Sequence, residues 1–179
     1  MTTTAEQTDE LYEACRAFVG GTSDAATLAR DEVNQAMIRH WCDAMGDANP
    51  VYTDPDAAAA SIHGGIVAPP TMLQAWTMQG LAPRAVEPED PAGSIRDLLD
   101  AAGYTSVVAT NCEQTYERYL RPGDLLSVIG SVDDVSPRKQ TGLGEGYFVT
   151  SKLTYTDQDG EVVGTQLFRI LKFRPPTAS

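Results

Sequence analysis

The residues with the clearest chemical potential lie in one loop, GDANPVYTDPD, at positions 46–56. Asp47 offers a carboxylate that could serve as a general base, and Tyr52, five residues later, offers a phenol. Loop carboxylates commonly accept hydrogen bonds from nearby backbone amides, so a turn-forming role for Asp47 is the plainer interpretation. Tyr52 is equally consistent with the wall of a ligand tunnel and with ordinary packing.

A second candidate segment, HGGIVAPP, covers positions 63–70 and precedes an apolar stretch, TMLQAWTM, at positions 71–78. Gly64 and Gly65 would let backbone amides approach a ligand closely, and the start of a helix leaves amides unpaired. A tight loop before a helix is an equally good interpretation of the two glycines. His63 is interpreted as a loop or subunit-contact residue rather than as a replacement catalytic histidine.

The charge and cysteine content exclude several classes of protein. The formal net charge is −12, which makes nucleic acid and anionic membranes poor partners. An anionic ligand would need a local basic patch, and Arg118 with Arg121, or Arg138 with Lys139, are the runs that could form one. The three cysteines show no CxxC spacing, so neither a disulfide framework nor a metal site is predicted. Without a long apolar stretch or a signal-peptide pattern, a cytoplasmic location is expected.

The first half of the chain predicts helices separated by loops. A short helix is expected over residues 6–19, and a second helix, capped by Asp31, is expected to end at Gly46. The apolar face of this second helix is formed by Val33, Met37, Trp41 and Ala44. Pro55 is placed to open a short helix that runs through Ala60.

The second half changes from helical to strand periodicity. The apolar stretch 71–78 requires burial on most sides, residues 81–93 are predicted to be a loop, and Ser94 is predicted to cap a helix that ends at Ala102. Strands are expected over 105–120, 125–135, 147–156 and 161–173, with turns at 121–124 and 157–160 and a polar connection at 137–146. Helices followed by antiparallel strands predict an α+β domain in which a curled sheet wraps one apolar helix.

The loop at positions 46–55 resembles the signature of MaoC-like (R)-specific enoyl-CoA hydratases, a Gly-Asp-x-Asn-Pro-x-His-x-Asp-Pro stretch that follows a helix. Residues 65–71, GIVAPPT, resemble the entrance to that family's central helix, and residues 121–124, RPGD, resemble its strand turn. The resemblance covers about Thr27 to Phe173. It implies a hot-dog fold, in which an antiparallel sheet wraps a central helix, and pairing with a second hot-dog domain.

One departure from the family pattern concerns its catalytic pair, an aspartate and a histidine five residues later. Asp47 occupies the first position, whereas Tyr52 occupies the second. Hydration requires a base that takes a proton from water and an acid that delivers one to the substrate. Tyrosine, with a reference pKa near ~10, is a poor substitute for histidine. The resemblance therefore implies that a second hot-dog subunit carries the working aspartate and histidine, while this chain shapes a tunnel for a bulky acyl group.

Two further stretches narrow the resemblance. Residues 98–108 and 168–175 resemble the MaoC-like N-terminal part of the large subunit of actinobacterial steroid side-chain hydratases. In that family this part is often followed by a second domain that docks a thiolase-type aldolase. The implied division of the chain is an N-terminal helical extension at 1–25, a MaoC-like hot-dog domain at 26–174 and a tail or truncated linker at 175–179.

The resemblance implies a non-catalytic, substrate-accommodating subunit of a heteromeric enoyl-CoA hydratase that acts on bulky acyl-CoA in steroid (cholesterol) side-chain β-oxidation. It implies a coenzyme A thioester as substrate, no cofactor or metal, and a dimer of heterodimers. The expected acyl-CoA-binding residues are Asn49, Tyr52, Gly64, Gly65, Ile66, Val67, Ala68 and Pro69. Two alternatives stay open: a self-sufficient homodimer that uses Asp47 with His63 or Tyr52, and a non-enzymatic scaffold that stabilises a catalytic partner and recruits an aldolase.

Overall fold

The computed structural model describes residues 9–81 and 90–175. The α-helices are α1 (Glu10–Arg16), α2 (Gln35–Met45), α3 (Pro55–Ala60), α4 (Leu73–Thr77) and α5 (Pro91–Ala101), and 3-10 turns cover Pro50–Tyr52 and Pro70–Met72. The strands are β1 (Thr27–Leu28), β2 (Ser106–Tyr116), β3 (Ser127–Val135), β4 (Lys139–Thr141), β5 (Gly144–Thr156) and β6 (Val162–Arg174).

The strands form one antiparallel sheet in the order β1-β3-β5-β6-β2, and β4 pairs with β5. Strands β5 and β6 lie at its centre and are joined by the turn predicted at 157–160, where the Gly160 N–H donates to the Asp157 carbonyl at 3.1 Å. Strand β2 pairs with β6 along its whole length and has no second neighbour in the described part of the chain. It is therefore an open edge of the sheet.

The sheet wraps the central helix, which consists of the 3-10 turn at Pro70–Met72 followed by α4. Leu73 and Trp76 are buried in the main core. Leu73 packs directly on Gly164 of β6, where a Cβ atom would lie 2.9 Å from Leu73 Cδ2. The predicted α+β hot-dog architecture is confirmed, although the helix is shorter than the 71–78 stretch and leaves Gln74 exposed.

A second core lies under α1 and α5 at the other half of the sheet. Cys15 of α1 and Ile95 of α5 are fully buried there. The Lys172 ammonium, almost buried on β6, lies 2.5 Å from Asp100 Oδ1 and so attaches α5 to the sheet. Helix α1 is shorter than the helix predicted over 6–19, of which residues 6–8 lie outside the described part. The domain boundary predicted at residue 25 stays a prediction.

Helix α2 begins at a different residue from the one predicted. Its N-cap is Asn34, whose Oδ1 accepts the Met37 N–H at 2.9 Å, and not Asp31. The helix cannot start earlier because Val33 is bonded to the 121–124 turn, both as a donor and as an acceptor. Tertiary hydrogen bonds, which the sequence pattern does not reveal, therefore decide between two suitable caps.

The buried face of α2 also differs from the predicted set. Ile38 and Cys42 are its buried residues, Trp41 is only half-buried, and Ala44 is exposed. Val33, which started the predicted face, lies before the helix and does not follow its period. The helix ends at Gly46, as predicted, in the left-handed conformation with φ of 67°.

Helix α5 begins earlier than predicted. Asp90 is its N-cap, whereas Ser94 lies one turn inside the helix, so the predicted cap is wrong. Ile95 and Leu99 are buried, as the predicted apolar face requires. Most of the loop predicted at 81–93 falls on residues 82–89, which lie outside the described part of the chain.

Two strand predictions were wrong in extent. The strand predicted over 105–120 ends at Tyr116, because the following segment turns away from the sheet and the Leu120 carbonyl accepts the Ala68 N–H at 2.8 Å. The polar connection predicted at 137–146 contains β4 and the start of β5, which form a short hairpin. No helix among the described residues is long and apolar enough to cross a membrane.

Candidate functional site

The 46–56 loop is shaped by side chains that accept hydrogen bonds from nearby backbone amides. Asp47 Oδ1 accepts the Asn49 N–H at 3.0 Å, and Asn49 Oδ1 accepts the Val51 N–H at 3.3 Å. Asp54 caps α3 in the same way. Asp47 is exposed and borders an open surface cavity of about 520 Å³. Its observed contacts are those of a turn-forming residue.

Tyr52 points into the core rather than to solvent. Its side chain is 8% exposed and belongs to the main hydrophobic cluster. Burial raises the pKa of the Tyr52 phenol above its ordinary value, and the nearby Tyr119 and Asp47 raise it further. A phenol with a raised pKa exchanges protons at neutral pH even less readily than an exposed one. At this position a phenol with a raised pKa is a weaker acid–base group near neutral pH than an imidazole would be.

The segment at 64–69 meets the Tyr52 loop through its backbone. The Val67 N–H lies 3.5 Å from the Val51 carbonyl, and the Ala68 N–H donates to Leu120 as described above. The side chains of Ile66, Val67, Ala68 and Pro69 are all buried. The amides of Val67 and Ala68 are therefore engaged within the chain and are not free to polarise a thioester carbonyl.

The two glycines before this segment lie nearer the surface. Gly64 is exposed, with φ of 67°, and its N–H donates to the Ser61 carbonyl at 3.1 Å. Gly65 is half-buried, and its N–H makes no backbone hydrogen bond within the described residues. Of the predicted helix-entrance amides, that of Gly65 is the better placed to receive an oxygen atom of a ligand.

His63 is held in a surface turn. Its ring centroid lies 4.5 Å from that of Tyr119, and its carbonyl accepts a hydrogen bond of 2.6 Å from Arg121 Nη2. Its N–H donates to Ser61 Oγ at 3.1 Å. These contacts fit the interpretation of His63 as a loop residue. The alternative, in which His63 has a catalytic role in a homodimer, stays untested.

Arg118, which the sequence offered as part of a basic patch, is neutralised inside the domain. Its Nη1 lies 2.7 Å from Asp124 Oδ2 and its Nη2 lies 2.8 Å from Asp157 Oδ2. The ion pairs tie the strand turn at 121–124 to the β5–β6 turn. Arg138 lies 3.6 Å from each of two carboxylates, those of Asp9 and Glu145. Arg121 keeps its charge exposed next to the helix entrance.

The Arg118 ion pair predicts a pH dependence of stability. The hydrogen bond from Arg118, joined by the N–H groups of Glu161 and Asp159, holds the pKa of Asp157 below its ordinary value. A lowered folded-state pKa contributes stability above the unfolded pKa of about 3.9, and that stability is lost as the pH falls through the folded value. We expect the free energy of unfolding to decrease as the pH is lowered from about 4. In the Asp157→Asn variant this decrease should be smaller.

The measurement is urea unfolding of the wild type and the variants in the same state of assembly, at intervals between about pH 2 and pH 6, where the unfolded carboxylates titrate. Asp159→Asn is the matched control, because Asp159 is exposed and adjacent in the same turn. It should leave the acid limb of the stability profile as it is in the wild type. An identical limb for the Asp157→Asn variant would contradict the expectation.

A buried polar network was missed by the sequence reasoning. Gln166 is fully buried, and its Oε1 accepts hydrogen bonds from Gln114 Nε2 at 3.0 Å and from the Tyr155 hydroxyl at 3.1 Å. Its Nε2 donates to Gln74 Oε1 at 3.4 Å. The available signal was a glutamine within the apolar strand sequence VVGTQLFRIL. Within the described residues, no group of three or more metal-ligating side chains is arranged to hold an ion.

The antiparallel sheet around a central helix, entered through a GDANP loop and a Gly-Gly segment, defines the class of hot-dog hydratases and dehydratases. Residues 17–166 match the family described as the FAS1-like dehydratase domain region. The chain belongs to this family.

Curated relatives and solved structures agree with this assignment. The chain is 52% identical to a probable enoyl-CoA hydratase alpha subunit of Thermomonospora curvata, over 93% of this chain and 53% of the relative. It is 49% identical to the 3-oxo-4,17-pregnadiene-20-carboxyl-CoA hydratase alpha subunit of Mycobacterium tuberculosis, over the same shares of each chain. The chain thus spans about half the length of these curated relatives.

A crystal structure of the ChsH1-ChsH2 complex from Mycobacterium tuberculosis contains a chain that matches 94% of this one, with 49% identity and a TM-score of 0.83. The match covers 92% of that chain. The (R)-hydratase of A. caviae, at 14% identity and a TM-score of 0.55, shares the fold.

Proposed function

We propose that this chain is the non-catalytic, substrate-accommodating subunit of a heteromeric enoyl-CoA hydratase. The proposal is based chiefly on the identity and burial of Tyr52. This residue stands where the hydratase signature has histidine, and its buried phenol has a raised pKa. Asp47 thus lacks the histidine with which the aspartate of the signature shares acid–base work near neutral pH. The partner subunit would carry both the aspartate and the histidine.

The open edge of the sheet supports the expectation of a second hot-dog partner. Most residues of β2 are exposed, among them Val107, Cys112 and Tyr116. An unpaired strand presents backbone N–H and C=O groups that another strand can bind. A partner strand laid along β2 would continue the sheet, and two such pairs would form a dimer of heterodimers.

The proposed substrate is a coenzyme A thioester with a bulky acyl group, in keeping with the steroid named in the Mycobacterium tuberculosis relative. Of the predicted contacts, Asn49, Gly64 and Gly65 are accessible on this chain, and we expect the ligand to meet these three first. Tyr52 and residues 66–69 are buried and would line the site from within. No metal or other cofactor takes part in the proposed reaction, which we place in the cytoplasm. A second domain in a longer protein could bind an aldolase, as the alternative scaffold hypothesis requires.

Production with and without the partner subunit tests the proposal. Because the β2 edge needs a neighbour, we expect the chain alone to aggregate and to show no hydration of enoyl-CoA. Co-production with a hot-dog subunit that carries an intact Asp-x-x-x-x-His loop should give a soluble complex that hydrates a steroid enoyl-CoA. Size-exclusion chromatography and loss of enoyl absorbance are the measurements.

The alternatives give different results in the same experiment. A self-sufficient homodimer would elute as a stable species and would hydrate substrate without a partner. A scaffold would stabilise the complex, but acyl-CoA binding would be unchanged by substitutions in this chain. Either result would overturn the proposed division between a catalytic and an accommodating subunit.

A further inference from the structure

The Gln166 network crosses the centre of the domain, from the β2 edge to the central helix. Gln166 is fully buried on the same face of β6 as Gly164, which contacts Leu73 of α4. A buried amide without partners costs about 1–3 kcal/mol. Leucine or methionine at this position would pack the core without requiring partners, so the presence of a buried amide here suggests a role beyond packing.

The network leaves the core at Gln74. Gln166 Nε2 donates to Gln74 Oε1, and the Gln74 side chain stands on the exposed side of the central helix. Because the oxygen of this amide is directed at Gln166, its Nε2 is directed away from the core. That nitrogen has no hydrogen-bond partner among residues 9–81 and 90–175. The network thus holds an amide with two free N–H donors at the open side of the helix.

The position of Gln74 along the helix matches the length of a fused-ring acyl group. From Pro69 at the helix entrance, a 3-10 rise of ~2.0 Å and an α-helical rise of ~1.5 Å per residue place Gln74 about 9 Å further on. A four-ring steroid skeleton is about 10 Å long, close to the diameter of an α-helix. A ring system whose thioester side chain lies at residues 64–69 would therefore end near Gln74.

We propose that Gln74 is a specificity-determining residue, whose Nε2 donates a hydrogen bond to a carbonyl oxygen on the far ring of the acyl group. This rests on the proposed function and names the polar group that the tunnel recognises. The name of the Mycobacterium tuberculosis relative places an oxo group on C3, at the opposite end of the skeleton from the coenzyme A ester. Such an oxygen only accepts hydrogen bonds, and a wholly apolar wall would leave it unsatisfied.

The experiment compares two substrates in the assembled complex: a 3-oxo steroid enoyl-CoA and the same compound without the 3-oxo oxygen. Gln74→Glu keeps an oxygen for Gln166 and removes the donor, whereas Gln74→Leu removes both. For each variant we expect kcat/KM to fall about tenfold with the 3-oxo substrate, the effect of leaving one buried carbonyl unpaired. With the deoxy substrate the fall should stay below about twofold, because that substrate has no carbonyl oxygen that the substitution could leave unpaired.

Gln140→Glu is the matched control, since it makes the same chemical change at an exposed glutamine on β4, outside both the network and the proposed path of the acyl group. It should leave the ratio of the two kcat/KM values at the wild-type value. An equal fall with both substrates in the Gln74 variants would show that Gln74 supports packing or the partner contact, and would overturn the inference alone. Hydration of neither substrate by the wild-type complex would overturn the proposed function, and the inference with it.

Discussion

Replacement of Gly164 by alanine is expected to lower the free energy of unfolding by about 3 kcal/mol, at the upper end of typical overpacking costs. The new Cβ would lie 2.7 Å from the Thr115 carbonyl oxygen and 2.9 Å from Leu73 Cδ2. The carbonyl belongs to the β2–β6 ladder and cannot move without breaking strand pairing. For a chain of this size the midpoint of thermal unfolding should fall by roughly 6–12 °C.

Gly142→Ala is the matched control for this prediction. A Cβ at Gly142 would meet no atom within 4 Å, and its φ is not in the left-handed region. Thermal unfolding of both variants, at one protein concentration and in the same state of assembly, should separate them clearly. Equal midpoints would mean that the central helix can shift away from β6 without cost.

The close contact at Gly164 illustrates what the sequence can and cannot predict of this fold. A glycine within an apolar strand indicates that another backbone or side chain approaches closely. Period-two alternation predicted the strands, and the glycine- and proline-containing segments predicted the turns. The identity of the approaching residue, Leu73, depends on the strand order and on the position of the central helix, which no local pattern encodes.

The helix starts show the same limit more sharply. Asp31 and Asn34 are both good N-caps, as are Asp90 and Ser94, and intrinsic preference does not rank them reliably. In the structure, hydrogen bonds between Val33 and a distant turn exclude the earlier start of α2. Local sequence therefore predicts that a helix exists, whereas long-range contacts fix the residue at which it begins.

The sequence indicated which segments could form the candidate site, but not how deeply their residues are buried. Tyr52 and the 64–69 segment do come together, yet Val67 and Ala68 are buried in the core of this chain. A larger side chain at either position would therefore overpack the core. Gln74 is exposed, and its link to the core is a hydrogen bond from the buried Gln166. Nothing in the sequence around Gln74 indicates that bond.

The largest functional difference is expected between the two acidic positions of the proposed complex. Removal of the aspartate or the histidine from the partner subunit should lower kcat/KM by more than about 10³-fold, equivalent to about 4 kcal/mol of transition-state stabilisation. Asp47→Ala in this chain should lower it by less than about tenfold, or 1.4 kcal/mol. The measurement is steady-state hydration of a steroid enoyl-CoA by each purified complex.

Asp47→Asn separates the chemistry of the carboxylate from its part in the loop. The amide keeps an oxygen that can accept the Asn49 N–H, so the turn is retained, but it cannot act as a general base. If Asp47 only shapes the turn, the asparagine variant should match the wild type while the alanine variant shows the small loss of a disturbed loop. A loss of kcat/KM above about 10³-fold in both variants would instead show that Asp47 takes part in proton transfer. It would contradict the proposal, based on Tyr52, that this subunit is non-catalytic.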